Sequence, residues 1–319
     1  MKPHCVLPAL LAVVGVAAVF GCDPEFDPGS NVSSLRVLSV RADNPFAAPG
    51  ETVRLEATHH DPDGRDITWA WLSCSNPASS SIEGCLIEIA ETALATGELP
   101  LLGSGIGLTG VDVTIAADAL AGIPEAARPN ALTGVFSIAC PGTLDVDLAA
   151  AAQREPGSLL PFRCTDATGA ELSLHDTIAG VKRIFVREND RNQNPIITEI
   201  TFDGEPWLEG DIKEVDSCDS DDFTFDDCKG EGDHRLAARI AAESFESGVD
   251  EFGREFSEQL IVQHYATEGI FEHEVRIGEL PETRWVARRS ASGQELRLWF
   301  VARDDRGGVS LGERRVRVR

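Results

Sequence analysis

Val53, Leu55 and Ala57 alternate with Arg54 and Glu56 between two turns, Ala48-Pro49-Gly50-Glu51 and Asp61-Pro62-Asp63-Gly64. A period of two buries one face of a strand and exposes the other, and a helix cannot satisfy it. The same period runs through Leu35, Val37 and Ser39, and it places Ile67, Trp69 and Trp71 on one face of a third strand. Within the second turn Pro62 presets φ and Gly64 supplies a positive φ. The 319 residues include 29 Gly and 17 Pro, so turn formers are frequent. Hydrophobic residues make up 42%, enough to fill real cores, so many short strands are expected rather than disorder.

Further along, Val111–Ile115 and Thr133–Ala139 read as strands, and Gly180–Val186 closes a first domain over residues 34–187. Much of 75–130 is Gly, Ser, Ala and Pro without a clear period. Residues 141–179 look like an insertion. Glu188–Pro195 is polar and ends in Pro, which suits a linker over 188–195. A second domain, 196–319, starts with the alternation of Ile196, Thr198, Ile200 and Phe202. It continues with strand-like runs at 235–242, 259–266, 271–277, 283–289 and 295–303, a hairpin turn at Asp304–Gly308, and a last strand to Arg319. About seven short strands in such a stretch predict a sandwich. The expected fold class is all-β, two Ig-like β-sandwiches.

The N-terminus has one early Lys, an apolar run from Cys5 to Phe20, and then Gly21-Cys22. The run is short for a membrane-spanning helix and suits an export signal. It resembles the bacterial lipoprotein signal, in which a small residue precedes a Cys that is lipidated before cleavage. That resemblance implies a signal peptide over 1–21, a lipidated Cys22, and a flexible tether over 22–33. It also implies attachment to a membrane in the cell envelope through the N-terminal lipid. Outer membrane or cell surface is favoured. Asp23 resembles an inner-membrane retention signal of enteric bacteria, which keeps the inner membrane open.

Pro49-Gly50-Glu51, the strand Val53-Leu55-Ala57, Asp61-Pro62-Asp63-Gly64 and the pair Trp69/Trp71 together resemble bacterial Ig-like and polycystic-kidney-disease-type modules. The match covers about forty residues and departs in carrying Trp at both aromatic positions. A lipoprotein Cys followed by this module and a second β-domain is also similar to surface lipoproteins of myxobacteria. This resemblance implies fold and location only.

With 28 Lys+Arg against 53 Asp+Glu the net charge is −25, which excludes a general nucleic-acid binder. Setting aside Cys5 and Cys22 leaves Cys74, Cys85, Cys140, Cys164, Cys218 and Cys228. An even number in an exported chain reads as disulfides, with fifteen connectivities open. Proximity in sequence favours 74–85, 140–164 and 218–228. Between Cys218 and Cys228 lie Asp219, Asp221, Asp222, Asp226 and Asp227, with Asp216 just outside. Crowded carboxylates repel, and Ca2+ takes several oxygen ligands, so these six form a candidate Ca2+ site; a solvated acidic loop is the alternative. The linker Glu188–Pro195 has a faint resemblance to the Asn/Asp-rich calcium linkers of cadherins, without their full pattern.

Arg315, Arg317 and Arg319 alternate with Val316 and Val318, and Arg297 and Arg303 suit the adjacent strand. Arginine forks fit carboxylates and phosphates, so this face is a candidate patch for an anionic envelope glycan; a solvated face paired with the acidic half of the same chain is the alternative, and a protein partner stays unidentified. Trp207, Trp285 and Trp299 are candidate sugar platforms or core residues. Gly105–Gly110 matches G-x-G-x-x-G but is followed by a strand pattern rather than a helix, so no dinucleotide is expected there. His273-Glu274 lacks the second His of a zinc motif, and no nucleophile elbow or phosphate loop occurs. These patterns lead to the expectation of a non-catalytic binding or structural lipoprotein. Ca2+-dependent adhesion is one alternative, and an envelope hydrolase or accessory domain with a dispersed site is another.

Overall fold

A computed structural model describes residues 29–75, 82–146, 162–173, 176–219, 225–228 and 232–319. Cys22 and the expected signal peptide over 1–21 lie outside the described residues.

The first domain contains β1 (Arg36–Ala42), β2 (Phe46–Ala47), β3 (Thr52–His60), β4 (Thr68–Ser75), β5 (Leu101–Ile106), β6 (Gly110–Thr114), β7 (Leu132–Cys140), β8 (Thr143–Val146), β9 (Phe162–Thr165) and β10 (Ile178–Val186). One sheet has the order β1-β3-β6 and the facing sheet β2-β10-β7-β4-β5. All pairs are antiparallel except β2 with β10. The core between the sheets is built from the alternating residues Leu35, Val53, Leu55 and Ala57 on one side and Trp69, Trp71, Val135 and Ile184 on the other. Trp69 and Trp71 stack with centroids 5.7 Å apart. The turn before β3 is closed by Glu51, whose carboxylate accepts the Ala48 N–H at 2.8 Å. The turn after it has Gly64 at φ 63°, and the Asp61 carboxylate takes both the backbone N–H and the guanidinium of Arg65.

One element was not anticipated by the alternation. Residues Ile82–Thr96 form an α-helix over the outer face of β4 and β7. Its Cys85 and Ile89 pack with Ala70, Leu72, Phe136 and Ile138 in a second, smaller core. Both faces of β7 are therefore buried, so all nine of its residues are inaccessible, Thr133 and Ser137 among them. The helical signal, Cys85, Ile89 and Ala93 at four-residue intervals, is short and sits among small residues.

The second domain contains β11 (Ile197–Phe202), β12 (Glu205–Pro206), β13 (Ile212–Val215), β14 (Asp233–Ile240), β15 (Ser247–Val249), β16 (Glu255–Ser257), β17 (Leu260–Ala266), β18 (Ile270–Phe271), β19 (Val275–Ile277), β20 (Glu282–Val286), β21 (Glu295–Asp304) and β22 (Val309–Val318). Its sheets are β12-β11-β14-β20-β18 and β13-β22-β21-β17-β19. Here too a short early strand, β13, pairs in parallel with the last strand, β22. Ile200, Leu236, Ala238 and Trp285 from one sheet meet Val262, Leu298, Phe300 and Val316 from the other. Two unlike sequences thus build one immunoglobulin-like sandwich topology twice.

The chain does not run simply from one domain to the next. Ser30, Asn31 and Val32, which the sequence assigns to the tether, are buried against the second domain. The Val32 N–H donates to the Ala266 carbonyl at 2.8 Å, and the Ala266 N–H donates to the Ser30 carbonyl at 2.9 Å. The segment then enters β1, which lies beside β22. Val32 and Leu38 enclose Trp299 with Tyr265 and Leu311. The residues from Ser30 to Val32 are therefore not a free tether, because apolar Val32 packs on Tyr265 and Trp299 and two backbone groups, the Val32 N–H and the Ser30 carbonyl, find partners on β17.

Candidate functional site

A cluster of charged and aromatic groups lies where the two sandwiches and the linker meet. Arg306 sits in the β21–β22 turn. Its guanidinium bonds Asp190 of the linker at 3.1 Å, and Glu246 and Glu258 at 3.2 Å each. The same guanidinium lies 4.0 Å from the Phe256 ring centroid and 4.7 Å from that of Phe46 in the first domain. A planar cation with five N–H donors can fork between carboxylates while its faces cover rings, which a lysine cannot do. Arg187 repeats the arrangement between Phe46 and Phe185 of the first domain and Phe252 of the second.

The linker backbone is held as well. Glu251 accepts N–H bonds from Glu188, Asn189 and Asp190, the shortest 2.7 Å. Asn194 donates to the Ala42 carbonyl at 2.7 Å and accepts the Val309 N–H at 2.8 Å, tying both domains together. Asn192 donates to Asp304 at 3.3 Å. Arg303 donates to the Leu38 carbonyl at 2.7 Å, and Lys182 donates to the Gly307 carbonyl. Of the linker side chains, Asp190 bonds Arg306, and Asn192 and Asn194 bond protein groups, while the Asn192 Oδ1 is buried without a partner among the described residues.

Burial shapes the titration of three groups here and nearby. Desolvation raises the Glu258 carboxyl to about 7, with Asp304 and Glu246 adding repulsion against the attraction of Arg306. Burial lowers Lys182 to about 8, assisted by Arg303. In the second core His264, beside Phe271 and Phe300, is lowered to about 4 by burial. Its Nδ1 faces the Glu274 carbonyl at 3.2 Å, and its Nε2 has no partner among the described residues.

The arginine face forms an ion-pair ladder. Arg297 pairs with Glu313 at 3.8 Å, Arg315 with Glu295 at 2.9 Å, Arg317 with Glu214 and Glu295 at 3.4 Å each, and Arg319 with Asp216 at 3.4 Å. Arg303 leaves this group and turns to Gln263 and Leu38. Val316 and Val318 alternate into the core as the period requires.

Of the acidic loop, Asp216 bonds Arg319, and Asp219 and Asp226 are exposed. Asp221 and Asp222 lie outside the described residues, as does the Asp227 side chain. Among the described residues there is no group of three or more metal-ligating side chains. The cysteines pair as 74–85, 140–164 and 218–228, with Cα–Cα distances of 5.6, 5.8 and 5.8 Å. The first fastens the helix to β4, and the second closes the insertion at the β8–β9 hairpin. All five tryptophans are at most 1% exposed, so Trp207, Trp285 and Trp299 are packing residues and not sugar platforms.

His59 and His60 face opposite ways, His59 against Trp69 and His60 against Trp299 of the other domain. Gly105–Gly110 spans the end of β5 and the start of β6, a strand-to-strand connection. Asp304–Gly308 reads in the sequence only as a turn, and no local pattern marks Arg306, Glu246, Glu251 or Glu258. No spacing links Arg306 to Asp190, since 116 residues separate them.

No family model matches the chain, and no curated protein matches it. Among solved structures, the D0–D1 domains of intimin share 12% identity over 88% of this chain and 98% of that one, with a TM-score of 0.22. The three N-terminal domains of the bacteriophage RB49 highly immunogenic outer capsid protein share 9% identity over 89% of this chain and 59% of that one, with a TM-score of 0.20. At these scores neither likeness carries into the functional reading.

Proposed function

We propose that this chain is a cell-envelope lipoprotein, held at a membrane surface through Cys22, in which two fused sandwiches form a non-catalytic binding or structural module. The observation that supports this reading is the junction. Arg306, Arg187, Glu251 and Asn194 fasten both domains and the linker into one unit, so loops and sheet edges are displayed in fixed relation. Fixed scaffolds with variable loops are the usual way sandwiches bind partners. Several acyl chains at Cys22 would hold such a unit stably, where one chain is marginal.

The test is metabolic labelling of the full-length chain with a palmitate analogue, followed by membrane fractionation. Label and membrane association should both be lost in Cys22→Ala. Retention of both in that variant would remove the anchor from the reading. For the rigid module, solution scattering of residues 23–319 should fit the fused pair of sandwiches, and a distribution of interdomain separations would count against it.

A further inference from the structure

Val275, Ile277 and Leu280 are 47%, 69% and 55% exposed, large apolar side chains on and just after an edge strand. Among the described residues β19 pairs only with β17, through Ile261, Val262 and Gln263, and its other side is the sheet edge. Val275 and Ile277 stand opposite Gln263 and Ile261, so both project from one face, while the intervening Arg276 turns away and donates to the Glu282 carbonyl at 2.6 Å.

The N-terminal segment arrives at this same edge. Asn31 forms a parallel bridge with Ala266 at the end of β17 that β19 leaves uncovered. Ser30 donates through its hydroxyl to Glu274 at 2.9 Å, one residue before β19. Because the bridge is parallel, the chain traced back from Ser30 to Gly29 heads along β17 toward β19. Six residues separate Cys22 from Gly29. Seven Cα steps span at most about 25 Å extended, and as a flexible coil about 15 Å.

We infer that the β19 edge, through Val275, Ile277 and Leu280, is a membrane-contact face that rests against the bilayer to which the N-terminal lipid tethers the chain. The inference rests on the lipid anchor proposed above. A short tether that leaves the fold beside an exposed apolar strip holds that strip within reach of the headgroup region. Contact is then an intramolecular event at high effective concentration, so weak intrinsic affinity suffices. Partial burial of three aliphatic side chains supplies it, since apolar area removed from water is favourable wherever it goes. Glu272, Glu274 and Glu279 flank the strip. They favour a zwitterionic over an anionic surface.

The native tryptophans are all buried, so an added surface tryptophan is a clean reporter. The mature chain from Cys22, with its other cysteines in disulfides, would be coupled through the Cys22 thiol to a maleimide lipid in phosphatidylcholine vesicles carrying brominated acyl chains. Coupling makes the reading of the face independent of whether the cell lipidates Cys22. Ile277→Trp and, separately, Val275→Trp should lose most of their added emission in brominated vesicles. Ile106→Trp, at a 71% exposed position on the first domain, should not. Equal emission from Ile277→Trp and Ile106→Trp on coupled vesicles overturns the inference. Absence of lipid on Cys22 of the native protein overturns the anchor reading instead, and the coupled chain distinguishes the two failures.

Discussion

Arg306 and Asp190 meet at 3.1 Å although they belong to the last hairpin and to the linker between domains. Through this pair the C-terminal turn reaches back to clasp the segment that precedes its own domain. The guanidinium also lies over Phe46 of the first domain, so one side chain touches both sandwiches and the linker. Its side chain is 12% exposed and that of Glu258 is 1% exposed, so their pair is sheltered from solvent.

Arg306→Ala should be costly, because it leaves Glu258 and Glu246 facing one another without a cation. Removing one partner of a sheltered pair typically costs about 3 kcal/mol or more. Urea unfolding at neutral pH measures it. Arg306→Lys should recover only part of the loss, since an ammonium cannot fork between Asp190 and the glutamates. Full recovery by lysine would show that charge alone matters.

Two groups with large shifts act on the pH dependence in opposite directions, and burial also lowers His59 and His60, which act with His264. His264 titrates near 6.5 unfolded and about 4 folded, so the unfolded chain binds the extra proton between those values and stability rises with pH across them. The shift corresponds to about 3 kcal/mol for this buried ring. Glu258 titrates near 4.5 unfolded and about 7 folded, so the folded chain binds the extra proton and stability falls as pH rises through that window. Between 4.5 and 6.5 the two oppose each other. His264→Phe, which suits the site between Phe271 and Phe300, should unmask a decline in stability from pH 5 to pH 7. A variant whose urea midpoint instead rises over that interval would contradict the assignment.

Replacing Cys74 and Cys85 together by Ser should free the helix from β4. A loop of this length predicts a loss of about 3 kcal/mol. Hydrogen exchange should quicken first in 82–96 and then across β4 and β7, whose outer faces the helix covers. Uniform loss of protection across both domains would mean that the helix is not a separate layer.

Melting in EDTA and then in millimolar Ca2+ should leave the midpoint unchanged if Arg306 supplies the junction with its cation. A ligand that binds only the folded state must raise it. An increase with Ca2+ that Asp219→Asn and Asp221→Asn abolish would place a metal in the acidic loop; an increase abolished by Asp190→Asn would place it at the junction.

The alternation of Val53, Leu55 and Ala57, the turns before and after them, and the valines beside Arg315 and Arg317 are local patterns, and local patterns are legible because side chains alternate across any strand. From them the all-β class, the strand runs of the second domain and the inward valines of β22 followed directly. The cysteine pairs were legible for a related reason, since short separations make closure easy. The helix at 82–96 was not, because its burial depends on a facing sheet surface that no window of sequence contains. The same holds for Arg306 with Asp190, and for Val32 on Trp299. These contacts join residues more than one hundred positions apart, and only the packing of two finished sandwiches brings them together. Sequence by itself determined that this chain would form strands, turns and disulfides; tertiary structure decided that the tether would return to the second domain and that an arginine would lock the junction, because both depend on surfaces that exist only after each sandwich has closed.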